Sequence, residues 1–252
     1  MLQQTQVARV VPRYEEFLAR FPDPTACAAS PVSSVIEAWA GLGYNRRAVQ
    51  LHCAAVAIVE RHRGRMPRHL KDLLELPGVG RYTARAILVF AYEEPVGVVE
   101  TNVARILARA IVGRRLASGE VQAVADSLVP GEAAWAWNQA MVDLGATVCT
   151  SRSPGCSHCP LRHWCAWAGA GHPAPDPAAG SAAVSRPQST FAGSDRQGRG
   201  RLIDALRRGP LPCNGLAEVT GWPDDPERAS RVAAGLVADG LAVQRGGQLA
   251  LP

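Results

Sequence analysis

Within the run "CTSRSPGCSHCPLRHWC", residues 149 to 165, four cysteines stand in the spacing C-x6-C-x2-C-x5-C. Thiolates so placed can surround one tetrahedral zinc ion or each take one iron of a [4Fe-4S] cluster, and ligand softness alone does not choose between the two. Two short knuckles would favour zinc. Here one compact loop carries Cys149, Cys156, Cys159 and Cys165, with Pro160 after the third thiol and Trp164 before the fourth, and this fits an enclosed cluster better.

The other three of the seven cysteines, Cys27, Cys53 and Cys213, are scattered among apolar neighbours and read as inert core thiols. A disulfide framework is not expected, because the chain reads as cytoplasmic, where thiols stay reduced. Hydrophobic residues make up 47% of the 252, yet no apolar run approaches the ~18 residues of a membrane span, and polar residues follow Met1 where a signal sequence would be apolar. The length suits one or two domains. The net charge of +5 is carried by arginine, with Lys71 the single lysine, and on its own it points only weakly to a polyanionic partner.

Residues 69 to 92, "HLKDLLELPGVGRYTARAILVFAY", place Leu70, Leu73 and Leu74, then Ala84, Ile87, Leu88 and Ala91, at helical spacing on either side of Pro77-Gly78-Val79-Gly80. This predicts a helix, a sharp turn and a second helix. Gly78 and Gly80 permit positive φ and leave backbone amides bare where the second helix begins, so the turn can cradle a phosphate, with Arg81 and Tyr82 at the helix start.

"LPGVGRYTARAI", an acidic residue at position 100 and the four-cysteine loop together resemble the helix-hairpin-helix DNA glycosylases. "MLQQTQV", "GLGYNRRAVQL" (41 to 51) and "NQAMVDLGATVC" (138 to 149) narrow the resemblance to the adenine-specific branch, over residues 1 to about 168. The resemblance implies an all-α pair of domains with the active site in the cleft between them, a [4Fe-4S] cluster on the four cysteines, and removal of adenine opposite 8-oxoguanine or guanine in double-stranded DNA. It further implies a monomeric, nucleoid-associated repair protein with no membrane partner.

Such an enzyme must take a base out of the stack and fill the hole it leaves. Gln3, Gln4 and Thr5 supply amide and hydroxyl groups that can probe the opposing base, and Tyr44 supplies a flat wedge. Breaking the N-glycosidic bond builds positive charge on the sugar, which a nearby carboxylate stabilises. Glu100, in "VVETNVAR", stands where the family usually has aspartate, and Asn102 and Tyr82 complete the expected catalytic group. Endonuclease III relatives carry a lysine at the position of Tyr82 that attacks the sugar as an amine. With tyrosine there, no lysine-dependent strand cleavage is expected.

The family's general-acid glutamate lies two residues before the methionine of the motif matched by "MLQQTQV", and neither Glu15, Glu16 nor Glu100 takes its place. Residues 1–252 are therefore expected to bind the mismatch and to release adenine slowly or not at all. Two alternatives accompany this reading: a catalytically inactive iron-sulfur DNA-binding regulator, and an endonuclease III-like pyrimidine glycosylase.

The expected organisation is a six-helix helix-hairpin-helix domain over 1–101, a cluster domain over 102–167, a flexible Ala, Gly, Pro and Ser-rich linker over 168–194 and a winged-helix-like unit over 195–252. "GRLIDALRRG", "NGLAEVTGW" and "DPERASRVAAGLVADG" read as three helices, and "LAVQRGGQLALP" as a hairpin about Gly246-Gly247.

Overall fold

In the computed structural model, residues 1–2, 5–184 and 190–252 are described; the expected probes Gln3 and Gln4 lie outside them. The chain is α-helical with a small sheet. In order it forms α1 (Val7–Arg20), α2 (Pro24–Ala29), α3 (Val32–Ala38), α4 (Arg46–His62), α5 (Leu70–Leu74), α6 (Arg81–Tyr92) and α7 (Thr101–Ile106), which runs on as a π-helical turn over Leu107–Val112. There follow α8 (Ser118–Ser127), α9 (Ala134–Thr147), α10 (Ala166–Gly169), α11 (Asp195–Leu206), β1 (Leu211–Pro212), α12 (Leu216–Thr220), α13 (Pro226–Ala238), β2 (Val243–Arg245) and β3 (Gln248–Ala250).

Local chemistry sets several of these boundaries. Asp23 accepts from the Ala26 amide at 2.8 Å and Asp225 from the Arg228 amide at 2.9 Å, each followed by a proline in the first turn, the usual start for a helix whose leading N–H groups have no partner in the helix. Ser194 caps α11 in the same way. The helix α4 ends where Arg63 turns into the left-handed region at φ 56°.

Two compact units result, and they cut the chain elsewhere than the expected domain boundaries. The first comprises Met1–Pro67, Leu76–Gly78 and Gln188–Pro252; the second comprises Arg68–Glu75 and Val79–Pro187. In the first unit the N-terminal helices and the C-terminal segment share one core, in which Val35, Ile36 and Trp39 cluster with Leu202, Ile203 and Leu236. Burying these apolar faces together is what holds 195–252 to the front helices. That segment has the three helices and the hairpin read from its sequence, and β1 adds a strand, pairing Leu211 with Leu249 in a sheet ordered β1-β3-β2.

The second unit is built on α7, its π-helical continuation, α8 and α9, with Val103, Ile106, Leu107 and Leu116 in its core. The expected break at residue 101 falls inside it. The buried amide of Asn138 on α9 accepts from Val98 N at 2.7 Å and donates to Val96 O at 3.1 Å, tying the segment before α7 to α9. Part of the expected linker is packed here as well. Ala178 and Ser181 are buried, and Ser181 Oγ accepts from the Leu116 amide at 3.1 Å. Small residues do not prevent packing when a carboxylate and a hydroxyl supply the anchors, as Asp176 and Ser181 do. Among the lone cysteines, Cys27 is buried and Cys213 half-buried, whereas Cys53 is exposed and is not a core thiol.

Candidate active site and cluster loop

The predicted turn between α5 and α6 is present. Gly78 has φ +74°, and a Cβ there would come within 2.7 Å of the Gln50 Cβ, so glycine is required for both conformation and space. Gly80 differs from expectation: it is the extended N-cap of α6 at φ −88°, with open space around an added Cβ. Among the described residues no side chain at the N-cap bonds into α6, and Arg81 and Tyr82 occupy its first two positions, Arg81 exposed and Tyr82 37% exposed.

Glu100 is the N-cap of α7. Its Oε1 accepts from the amides of Asn102 at 2.7 Å and Val103 at 2.9 Å, so the carboxylate is held in one orientation by the helix it begins. Tyr82 lies near enough to feel it: burial, and secondarily the Glu100 charge, raise the Tyr82 phenol above its ordinary value and keep it protonated. Glu100, Asn102 and Tyr82 thus belong to one locality of the second unit.

Asn102 leads directly to the cysteines. Its Oδ1 accepts from Arg105 Nη2 at 2.7 Å, the same nitrogen donates to Gly145 O at 2.6 Å, and Arg105 Nε donates to Cys149 O at 2.6 Å. A Cβ on Gly145 would lie 2.5 Å from Asn102 Cβ, so this glycine allows α9 to approach α7 closely enough for the contact. Four residues on, the buried Arg109 guanidinium pairs with Asp176 at 2.5 Å, donates to Thr150 O at 2.7 Å and Ser151 O at 3.1 Å, reaches Cys149 Sγ at 3.6 Å and stacks over Trp167 at 5.0 Å. Burial alone would raise the Asp176 carboxyl, but the bonds from Arg109 and the Ala178 amide outweigh it and hold it below the usual range.

All four clustered cysteines line a single apolar cavity with Ile106, Arg109 and Leu161. Burial, and after it the neighbouring Cys149, Cys165 and Cys159, push the Cys156 thiol up. Among the described residues no three His, Cys, Asp or Glu side chains stand close enough to close on a single metal ion. A zinc ion would need all its sulfurs at about 2.3 Å, whereas a cluster spreads its four bonds over four irons. The donor set, entirely thiol and gathered around one cavity, has the chemistry of a zinc or an iron-sulfur site.

In the first unit, Thr5 Oγ1 donates to Leu42 O at 3.0 Å and Trp39 Nε1 donates to Gly43 O at 3.1 Å. These bonds fix a turn in which Gly41, Gly43 and Tyr44 all have positive φ, that of Tyr44 being 46°. Tyr44 is 45% exposed, an aromatic presented to solvent on a constrained backbone. Thr5 and Tyr44, far apart in the chain, line one small hollow together with Arg9. Sequence reasoning missed Arg105, Arg109, Asp176 and Asn138. Two arginines spaced i, i+4 within the apolar "VARILARAIV" were the available signal for the first pair; Asp176, set among prolines and alanines, offered none.

A family model described as HhH-GPD superfamily base excision DNA repair protein matches residues 1–130. The adenine DNA glycosylase of Mycolicibacterium smegmatis is 42% identical over 247 residues, covering 97% of this chain and 82% of that protein. The adenine DNA glycosylase of Homo sapiens is 42% identical over 171 residues, 66% of this chain and 31% of that protein. Among solved structures, a thermostable thymine-DNA glycosylase superposes with TM-score 0.62 at 26% identity, covering 67% of this chain and 80% of that one. A trapped endonuclease III–DNA covalent intermediate superposes with TM-score 0.61 at 25% identity, covering 68% and 82%.

Proposed function

We propose that this chain, which belongs to the HhH-GPD superfamily of base excision DNA repair proteins, is an adenine DNA glycosylase that hydrolyses the N-glycosidic bond of adenine opposite 8-oxoguanine or guanine. The observation that carries the reading is the Glu100 carboxylate fixed at the N-terminus of α7, with Asn102 in the first turn of the helix and the Tyr82 phenol within its field.

The residues divide the work as follows. The start of α6, with Arg81, holds a backbone phosphate and sets the register of the duplex. Tyr44 fills the gap left by the extruded nucleotide while Thr5, with Gln3 and Gln4, meets the opposing base. As the bond to adenine lengthens, positive charge grows on the sugar, and Glu100, its orientation already set by two amides, stabilises that charge without reorganising. Tyr82 is neutral and supports the sugar; the one lysine, Lys71, is on α5, so water and not an amine adds to the sugar carbon. Adenine leaves with a proton drawn from solvent, which makes the step slow, and the product is an abasic site.

The four cysteines of the loop would hold a [4Fe-4S] cluster. When bound, it supplies four iron–sulfur bonds that cross-link the loop on which Arg105 and Arg109 converge.

The test is adenine release from a duplex carrying one adenine opposite 8-oxoguanine. Strand breaks that appear only after alkali treatment are expected. Release of thymine or another pyrimidine from a matched series of duplexes, or strand breaks without alkali, would overturn the reading. No helix among the described residues is long and apolar enough to cross a membrane.

A further inference from the structure

A cavity of about 670 Å³ in the first unit lies where α11 and α13 meet the start of α4. Its floor is apolar, with Ile203, Leu236 and Leu241 all buried. Four arginines line it, Arg46 and Arg47 on α4 and Arg196 and Arg199 on α11, and among the described residues no carboxylate lines it. Asp239, outside the lining, pairs with Arg199 and, at 3.5 Å, with Arg46. With the one Asp239 carboxylate set against Arg46 and Arg199, the four arginines still leave the hollow a positive potential that suits an anionic occupant.

Two exposed aromatics face this cavity. Tyr44 is one, and Phe191, 57% exposed and under the Arg196 guanidinium at 6.0 Å, is the other. The cavity adjoins the hollow beside Thr5, since Gly43 and Tyr44 line both. It is also fixed to the Tyr44 turn: Arg207, at the end of α11, donates to Asn45 Oδ1 at 2.9 Å and to Ile36 O at 3.0 Å, anchoring the C-terminal helices to the residue that follows Tyr44.

We propose that this cavity is a second DNA subsite, holding a backbone phosphate between Arg46 and Arg196 and one base of the same strand stacked on Phe191, next to the nucleotide wedged by Tyr44. The C-terminal segment then contributes contact surface to the duplex. An apolar floor with a cationic rim and exposed rings is the chemistry that a single-stranded or unstacked nucleotide needs. The inference rests on the glycosylase reading in taking DNA as the polyanion and Tyr44 as the wedge.

The experiment measures affinity and its salt dependence for a duplex with one adenine opposite guanine, using the full chain and fluorescence anisotropy. The double variant Arg46→Gln/Arg196→Gln is expected to loosen binding roughly tenfold and to flatten the slope of log K against log salt, by about 0.9 for each phosphate no longer neutralised. Phe191→Ala is expected to loosen binding with the slope intact, since stacking releases no counterion. Thermal melts of each variant confirm folding. A wild-type chain that ignores duplex DNA overturns this proposal and the glycosylase reading together. A wild type that binds, with either variant at wild-type affinity or the double variant at wild-type salt slope, overturns the second subsite alone.

Discussion

Arg105 bridges Asn102 and Cys149, donating from Nη2 to the amide oxygen of the first at 2.7 Å and from Nε to the carbonyl of the second at 2.6 Å. One buried guanidinium therefore sets both the first turn of α7, where Glu100 is the cap, and the first residue of the cysteine loop. A lysine cannot replace it, since a single ammonium does not present the planar fork that Asn102, Gly145 and Cys149 together require. Arg105→Lys is expected to lower single-turnover adenine release by about 100-fold, the scale of a ~1 Å displacement at a reacting centre. Duplex affinity, measured on the same preparation, is expected to fall far less.

The cysteine loop predicts a metal content. Purified protein is expected to be brown and to contain about four irons per chain, the stoichiometry of one [4Fe-4S] group. One equivalent of zinc and a colourless protein would contradict the assignment. Removing the iron is expected to free the loop about Cys149 and, through Arg105, to slow adenine release.

Asp176 neutralises Arg109 inside the second unit, where the arginine side chain is 3% exposed and the carboxylate 30%. Removing one partner of a wholly buried pair costs ~3–5 kcal/mol, and the partial exposure of Asp176 reduces this to about 2–3 kcal/mol for Asp176→Ala. The difference also depends on pH. A carboxyl whose pKa is lower in the folded chain contributes stability that is complete above its unfolded value and is lost as pH falls through the folded one. The gap in thermal midpoint between wild type and Asp176→Ala is thus expected to be constant near neutrality and to close only below the ordinary aspartate value of ~3.9. A gap that widens in acid would refute the pairing.

At the turn, the two glycines separate structure from binding. Gly80 has room for a side chain and ordinary φ, so Gly80→Asp is expected to fold normally while setting a negative charge against the phosphate and weakening every duplex alike. Gly78→Ala meets both the Gln50 side chain and the left-handed backbone at φ +74°, and is expected to destabilise the fold by about 1–3 kcal/mol. Urea unfolding and DNA titration of the two variants distinguish these outcomes; equal destabilisation would show that Gly80 is structural.

The paired helices about Gly78, the cysteine loop and the three C-terminal helices were legible because each is written locally, in apolar spacing, turn residues or thiol spacing. Asp176 was not, since its partner Arg109 is 67 residues away and its own surroundings read as linker. Nor was the shared core of the first unit. The apolar residues of α3 and α11 are each evident in the sequence, but nothing in either stretch states that they bury one another. The sequence marks Glu100 as a candidate catalytic carboxylate but not as a cap, because glutamate is not among the side chains that usually begin helices.

The double duty of Glu100 makes it the most informative position to vary. Glu100→Gln keeps an oxygen that can accept from the Asn102 and Val103 amides, so α7 is expected to start where it does now and duplex binding to persist. What it loses is the charge opposite the developing cation, and release of adenine is expected to drop by about 100- to 1000-fold. Glu100→Asp keeps the charge, shortens the arm by one methylene and places a preferred capping residue at the start of α7. If the longer side chain holds the carboxylate away from the sugar, Glu100→Asp releases adenine faster than the parent chain in single-turnover measurements. A slower Glu100→Asp variant with intact binding would show that the reach of glutamate is matched to this site and that the surrounding turn has adjusted to it.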